Sequence, residues 1–231
     1  MRGISGLAAI ALALAILPVR AEERAREAVA EVDAYYKFSD AVRLYLYGKL
    51  GANTTANTTD GEIGAHVDFA HLPILHLSLR RDVDWERARS LLIRLGYEQS
   101  DGVDGRDDAT HERRLVAELT GRFVLPQDFW LVNRLRLELR DLDGTSAQRY
   151  RYRLALERKT TVAGVHVVPY ARAETAYDTR YDSWNRQTYQ VGAEVELSKQ
   201  WRIEPYVARQ NDKVSASANV DRFGVTLKYY R

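Results

Sequence analysis

The sequence predicts an all-β fold, an up-and-down antiparallel transmembrane β-barrel of about 12 strands (range about 10–12), because bacterial single-chain barrels hold an even number. Three observations carry this reading. Apolar and polar residues alternate through nearly all of the chain after residue 21, which is the two-residue period of a strand. Short turns alternate with longer polar loops, as they do when the two ends of a barrel face different media. Charged residues are 29% of the 231 and mean hydropathy is -0.41, which excludes a bundle of membrane helices, while 45% hydrophobic content excludes a disordered chain.

The N-terminus reads as a secretory signal. Arg2 precedes an apolar run over 4–18, and Val19-Arg20-Ala21 puts small residues at the −3 and −1 positions of a cleavage site. The expected organisation is a cleaved signal over 1–21 and one barrel domain over 22–231. An uncleaved anchor helix is the alternative, and the run is short for it. With no cysteine there is no lipoprotein anchor, disulfide frame, thiolate metal site or Cys nucleophile. Without Arg2 and Arg20 the chain carries 32 basic and 32 acidic side chains, a balance that argues against a nucleic-acid partner.

Taken in order, alternation marks strands at 28–38, 41–50, 62–71, 90–99 and 112–124. In 129–140, Leu131, Leu135, Leu137 and Leu139 oppose Arg134, Arg136, Glu138 and Arg140. In the next segment Tyr150, Tyr152, Leu154 and Leu156 oppose Arg149, Arg151, Arg153 and Glu157. Residues 165–178 put His166, Tyr170, Arg172, Glu174 and Asp178 on one face, and 187–198, 201–210 and 222–230 continue the pattern. That is eleven segments. Even parity needs a twelfth, and 74–81 supplies it, with Leu75, Leu77 and Leu79 against His76, Ser78 and Arg80. Counted back from a periplasmic C-terminus, this places the tight turn 39–40 outside and the long 51–61 inside, against the usual asymmetry. A short helix starting at Asp84 and running to Leu95 is the competing reading. Tight turns fall at 39–40, 126–128 and 198–200, longer ones at 51–61, 100–110, 141–146, 179–185 and 211–219.

Alternation does not say which face looks inward. A cylinder of about eleven strands is too wide to be filled by Leu, Val and Ala, and each Arg facing lipid near the midplane costs about 2–4 kcal/mol. The apolar face therefore meets lipid and the charged face the lumen; a large soluble β-sandwich is the remaining alternative. Trp130, Trp184 and Trp201 fall at or just beyond strand ends, where an aromatic belt sits. The last strand, with Phe223, Gly224, Val225, Leu227, Tyr229 and Tyr230, has the alternation of an outer-membrane insertion signal, although Arg231 replaces the usual terminal aromatic.

The C-terminal half resembles an uncharacterised bacterial outer-membrane β-barrel family, the domain-of-unknown-function family 2490. The resemblance lies in Asn133-Arg134-Leu135-Arg136, Tyr150-Arg151-Tyr152-Arg153-Leu154, Pro169-Tyr170 with Glu174, and Asn185-Arg186 leading to Gly192-Ala193-Glu194. Leu197-Ser198-Lys199-Gln200-Trp201 and Tyr206 with Arg209-Gln210 complete it, over roughly residues 110–231. It implies fold and location in the cell outer membrane, and it transfers no catalytic residue.

The candidate functional feature is a ladder of lumen charges: Arg114, Glu118, Arg122, Arg134, Arg136, Glu138, Arg140, Arg149, Arg151, Arg153, Glu157, Arg172, Glu174, Glu194, Glu196, Arg202 and Glu204. Opposed residues of an antiparallel ladder lie about 5 Å apart, so Arg and Glu can pair across strands. Paired, they plug the lumen; unpaired, the arginines form an anion-attracting track through a narrow pore. A rim hydrolase or acyltransferase is a third reading, since His66 and Asp68 share a face. Against it, no serine has a nucleophile-like context, and His71, His76, His111 and His166 lack metal-ligand spacing. Surface binding through the long loops is a fourth. No cofactor or metal is expected. The expected partners are outer-membrane lipid, lipopolysaccharide and the insertion machinery.

Overall fold

The computed structural model of the chain describes residues 24–70, 85, 87, 89–103, 111–214 and 219–231. The signal segment 1–21 and the strand expected at 74–81 lie outside the described residues. The strands are β1 (Ala25–Lys37), β2 (Val42–Asn53), β3 (Thr58–Ala70), β4 (Leu91–Gly102), β5 (Glu112–Leu125), β6 (Phe129–Leu142) and β7 (Thr145–Arg158). They continue as β8 (Thr160–Val162), β9 (Val165–Asp178), β10 (Ser183–Glu196), β11 (Trp201–Asp212) and β12 (Val220–Tyr230). Leu91–Leu95, which the competing reading made the end of a short helix, is the start of β4: its apolar residues alternate with inward Leu92 and Arg94.

Eleven of these strands close a ring, each paired with its sequence neighbours, and β1 pairs with β12. The β8 segment adds no wall strand. It keeps the register of β7 on β9, Glu157 opposite Tyr170 and then Thr160 opposite Val167. It is the tip of the β7–β9 hairpin, carried past β6, whose pairing with β7 stops at Phe129 opposite Arg158. Among the described residues there are twelve strands, but the wall they form has an odd number. In an alternating meander of odd count the first and last strands run the same way, so the seam must be parallel. Eleven residue pairs join it, from Ala25 opposite Val220 to Tyr35 opposite Tyr230. The uniformly antiparallel expectation is corrected at this one seam.

Odd parity reverses the rims that a twelfth wall strand implied for the first two turns, placing 38–41 at the C-terminal rim and 54–57 at the far rim. The tight turns at 38–41, 126–128 and 197–200 lie at the rim where β12 ends, the C-terminal rim. The connections at 54–57, 103–111, 143–144, 179–182 and 213–219 lie at the far rim. An extra wall strand between β3 and β4 would have exchanged the ends. Several connections are shorter than alternation implied, because the strands run on: 141–146 shrinks to Asp143-Gly144, whose φ values of 50° and 84° make a two-residue hairpin turn. Two C-terminal-rim turns use one device. Ser39 Oγ accepts from the N–H groups of Ala41 and Val42, and Ser198 Oγ from those of Gln200 and Trp201.

The outward face is apolar. Leu46, Ile63, Leu95, Leu115, Leu135, Leu154 and Phe223 are all exposed, an arrangement only a hydrocarbon surround makes favourable. The strands of the ring hold 11–14 residues, against about 9–11 needed to cross a bilayer. Two aromatic groups bracket this band: Tyr36, Tyr229 and Trp201 at the C-terminal rim, Tyr150, Tyr177 and Trp184 at the far rim.

Odd parity has a topological test. Peptide tags placed before Ala25 and after Arg231 should be reached by antibody from opposite sides of the membrane in intact cells. Labelling of both from one side would mean an even ring.

Candidate functional site

The candidate site is the lumen. One parity of every strand points into it, and all seventeen ladder residues lie on that parity. Their pairing differs from simple cross-strand matching. On β6 and β7 the directly opposed residues are Arg134 with Arg153 and Arg136 with Arg151, like charges that repel. Carboxylates from β4, β5 and β9 interleave between them. Glu138 is fully buried and accepts 2.8 Å hydrogen bonds from Arg136 Nε and Arg151 Nη1. Arg136 also donates to Glu98 at 2.5 Å, skipping β5, and Arg134 to Glu174 at 2.6 Å, skipping β7. Glu174 also accepts from Arg151 and Arg153, both at 2.8 Å. Glu118 lies 3.3 Å from Arg134 and 3.8 Å from Arg136. The chain of pairs therefore runs along and across the lumen from β4 to β9.

Each rim has its own cluster. At the far rim Asp178, fully buried, accepts from Arg140 (2.7 Å), Arg149 (2.9 Å) and Arg180 (2.9 Å). Arg140 bonds Glu112 as well. At the C-terminal rim Arg43 donates to Asp68 at 2.6 Å and lies between the rings of Tyr35 (4.3 Å) and Trp85 (4.5 Å). Arg87, which like Trp85 comes from the β3–β4 connection, reaches Glu157 on β7 (3.1 Å) and Glu194 on β10 (2.7 Å). Glu194 is shared with Arg202 and Lys228, and Glu204 with Lys228, Tyr170 and, at 3.6 Å, Arg172. Arg114 meets Glu62 and Glu98, Arg122 lines the same central cavity, and Glu196 lines the C-terminal mouth.

The ladder read from the sequence stopped at β5, and further members of the network lie before it or on β12. Lys49–Glu62 (3.0 Å), Arg43–Asp68–Arg94 and Lys228 belong to it, with Glu31 and Asp33 lining the same cavity. The signal was present: the same alternation runs Arg43, Tyr45, Tyr47, Lys49 and Glu62, Gly64, His66, Asp68. Inward glycines accommodate inward aromatic rings. A Cβ on Gly64 would lie 2.2 Å from Tyr47, and one on Gly224 would lie 2.1 Å from Tyr206. Gly224 of the C-terminal signal therefore faces the lumen, and Tyr230 stacks there on Tyr35, while Phe223 and Val225 face outward and Tyr229 joins the outer aromatic group. His66 lies 3.4 Å from Glu98 and stacks on Tyr45, whereas Asp68 is held by Arg43 and Arg94, so the two do not act together.

Among the described residues the inward side chains leave open space. A central cavity of about 330 Å³ lies among Asp33, Tyr45, Arg134 and Arg153. A second of about 320 Å³ runs from Ser100 and Glu112 near the far rim to Arg153 and Arg172. A vestibule of about 580 Å³ opens at the C-terminal rim. Among the described residues no His, Cys, Asp and Glu cluster is arranged to hold a metal.

A protein of unknown function family model, DUF2490, matches residues 62–221, more than half of the chain. The chain belongs to the DUF2490 family. The match reaches back over β3 and β4, which the sequence resemblance covered only by pattern. No curated protein matches. Solved structures similar to this DUF2490 chain include the beta domain of the Bordetella autotransporter Brka, at 18% identity, TM-score 0.46, covering 77% of this chain and 80% of that one. LpxR from Salmonella typhimurium is similar at 9% identity and TM-score 0.47, over 81% and 83%. Outer-membrane expressed OmpT of Vibrio cholerae is similar at 10% identity and TM-score 0.35, over 79% and 60%.

The network predicts unequal costs. Replacing Glu138→Gln leaves Arg136, Arg151 and, at 3.7 Å, Arg149 short of a buried counter-charge and should lower unfolding stability in detergent by about 3 kcal/mol, read by urea titration. Glu196→Gln at the open mouth should change it by less than about 1 kcal/mol. A second expectation concerns the far rim. His111, exposed between β4 and β5, donates from Nδ1 to Asp101 at 2.5 Å, and that hydrogen bond raises its pKa, aided by Asp143 and opposed by Arg113. A raised folded pKa means the contact is fully formed below the ordinary value of about 6.5 and is lost as pH rises through the folded one. NMR titration should place the His111 midpoint above about 6.5, and Asp101→Asn should bring it back.

Proposed function

We propose that this DUF2490 protein is a resident barrel of a diderm bacterial outer membrane whose lumen is closed by its own ion pairs. The apolar outer face, the two aromatic groups and the outward Phe223, Val225 and Tyr229 of the last strand support the location, with lipid and lipopolysaccharide around the wall and the insertion machinery as transient partner. One observation carries the closure: Asp68, Glu98, Glu138 and Asp178, on four different strands, are at most 1% exposed although all face the lumen. Carboxylates bordering a continuous water column would not be so covered. The protein in this reading is a sealed structural element, with interactions made at its rims.

The two lumen cavities favour a second reading, a narrow pathway for small anions, because their described lining carries more arginine and lysine than aspartate and glutamate.

Heat-modifiable migration and fractionation with outer membranes test the location; recovery as a soluble periplasmic protein would overturn it. A planar bilayer separates the two lumen readings. The sealed barrel should be silent, and neutralising Arg134, Arg136 and Arg151 together should lower its melting temperature and allow current. Steady anion-selective current from the unaltered protein would establish the pathway instead.

A further inference from the structure

We propose that the lumen holds a binding site for one small dianionic oxyanion, at the junction of its two internal cavities, formed by Arg151, Arg153 and Arg172. These three residues line both cavities. Around them, positive charge exceeds the carboxylates supplied. Arg134, Arg151 and Arg153 all converge on the single carboxylate of Glu174. Arg151 and Arg134 have second partners in Glu138 and Glu118, whereas Glu174 is the only carboxylate within ion-pair distance of Arg153 among the described residues. Among the described residues Arg172 meets a carboxylate only at 3.6 Å, and that group, Glu204, is already bonded to Lys228 and Tyr170. The Arg172 guanidinium lies 4.8 Å from the Tyr170 ring, and its buried Nε makes no hydrogen bond among the described residues.

A planar guanidinium presents its donors in a fork that matches a carboxylate or phosphate edge, so a dianion here would complete the pairing that Glu174 leaves short. Size restricts the ligand. The cavity of about 320 Å³ has the room of about ten waters, enough for phosphate or a short dicarboxylate with its hydration and too little for an oligosaccharide. Its lining runs out to Ser100 and Glu112, so the approach is from the far rim. The wall of the central cavity away from these arginines carries Glu31 and Asp33 on β1. The site does not depend on whether the lumen conducts.

The test uses the full barrel refolded in detergent, with inorganic phosphate as the probe and sodium chloride matching the ionic strength. Phosphate should raise the melting temperature saturably, and chloride should not. Arg153→Gln and Arg172→Gln should each weaken the phosphate affinity by about tenfold, the worth of one charge-assisted contact. Both variants are expected to fold, because Glu174 keeps Arg134 and Arg151, and Glu204 keeps Lys228 and Tyr170. Lys199→Gln, at the C-terminal mouth, is the control and should bind as the unaltered protein does. An equal response to phosphate and chloride would overturn the site, as would phosphate binding unchanged in both arginine variants. Loss of binding in Lys199→Gln alone would overturn it by moving the anion to the vestibule.

Discussion

The structure depends on one constraint: a β-barrel in hydrocarbon must turn its charges inward, and charges turned inward must neutralise one another. The wall of Leu, Val and aromatic residues on one parity leaves the other parity to Arg, Lys, Asp and Glu. Taking such groups out of water costs several kcal/mol each, and the most deeply buried carboxylates offset it by meeting two or three guanidinium groups. Glu138, Glu174 and Asp178 all do. Because β6 and β7 oppose arginine to arginine, the counter-charges come from Glu138 along β6 and from Glu98, Glu118 and Glu174 on other strands, and the pairs brace the cylinder across its width as well as along its wall.

The seam follows from counting. With eleven strands in the ring, closure is parallel, and the pair that closes it joins residues 195 positions apart, Ala25 with Val220. Parallel pairing is slightly weaker per residue than antiparallel. Here Glu27 on β1 is 2.5 Å from Arg222, its direct partner on β12, so the charged parity of the interior reaches to the join itself.

Much of this was legible because the strand period acts on every residue. Leu135 and Arg136 declare opposite faces without any tertiary knowledge, and each of the eleven wall strands overlaps an alternating segment of the sequence. What stayed hidden needs the third dimension. Parity turned on whether 74–81 joined the wall, and its pattern of Leu75, Leu77 and Leu79 is indistinguishable from a wall strand. Ring closure pairs β3 directly with β4. The partners of Arg134 and Arg136 were hidden for another reason: long side chains reach past the neighbouring strand, a distance that nearest-neighbour register does not express. Lumen residues before β5 were missed because Tyr45, Tyr47, Gly64 and Gly96 interrupt the charges, although each of these occupies the inward parity.

The charged interior has a thermal consequence. A soluble domain keeps its apolar groups inside, and their exposure on unfolding raises the heat capacity and bends the stability curve. In this barrel the groups released from the interior are mainly guanidinium and carboxylate, and exposure of polar surface lowers the heat capacity instead. Charged groups also lose hydration free energy on warming, so the penalty for holding Glu138 and Asp178 dry shrinks as temperature rises. The core should therefore hold its strength over a wide span of temperature and show little of the weakening on cooling that an oily core suffers.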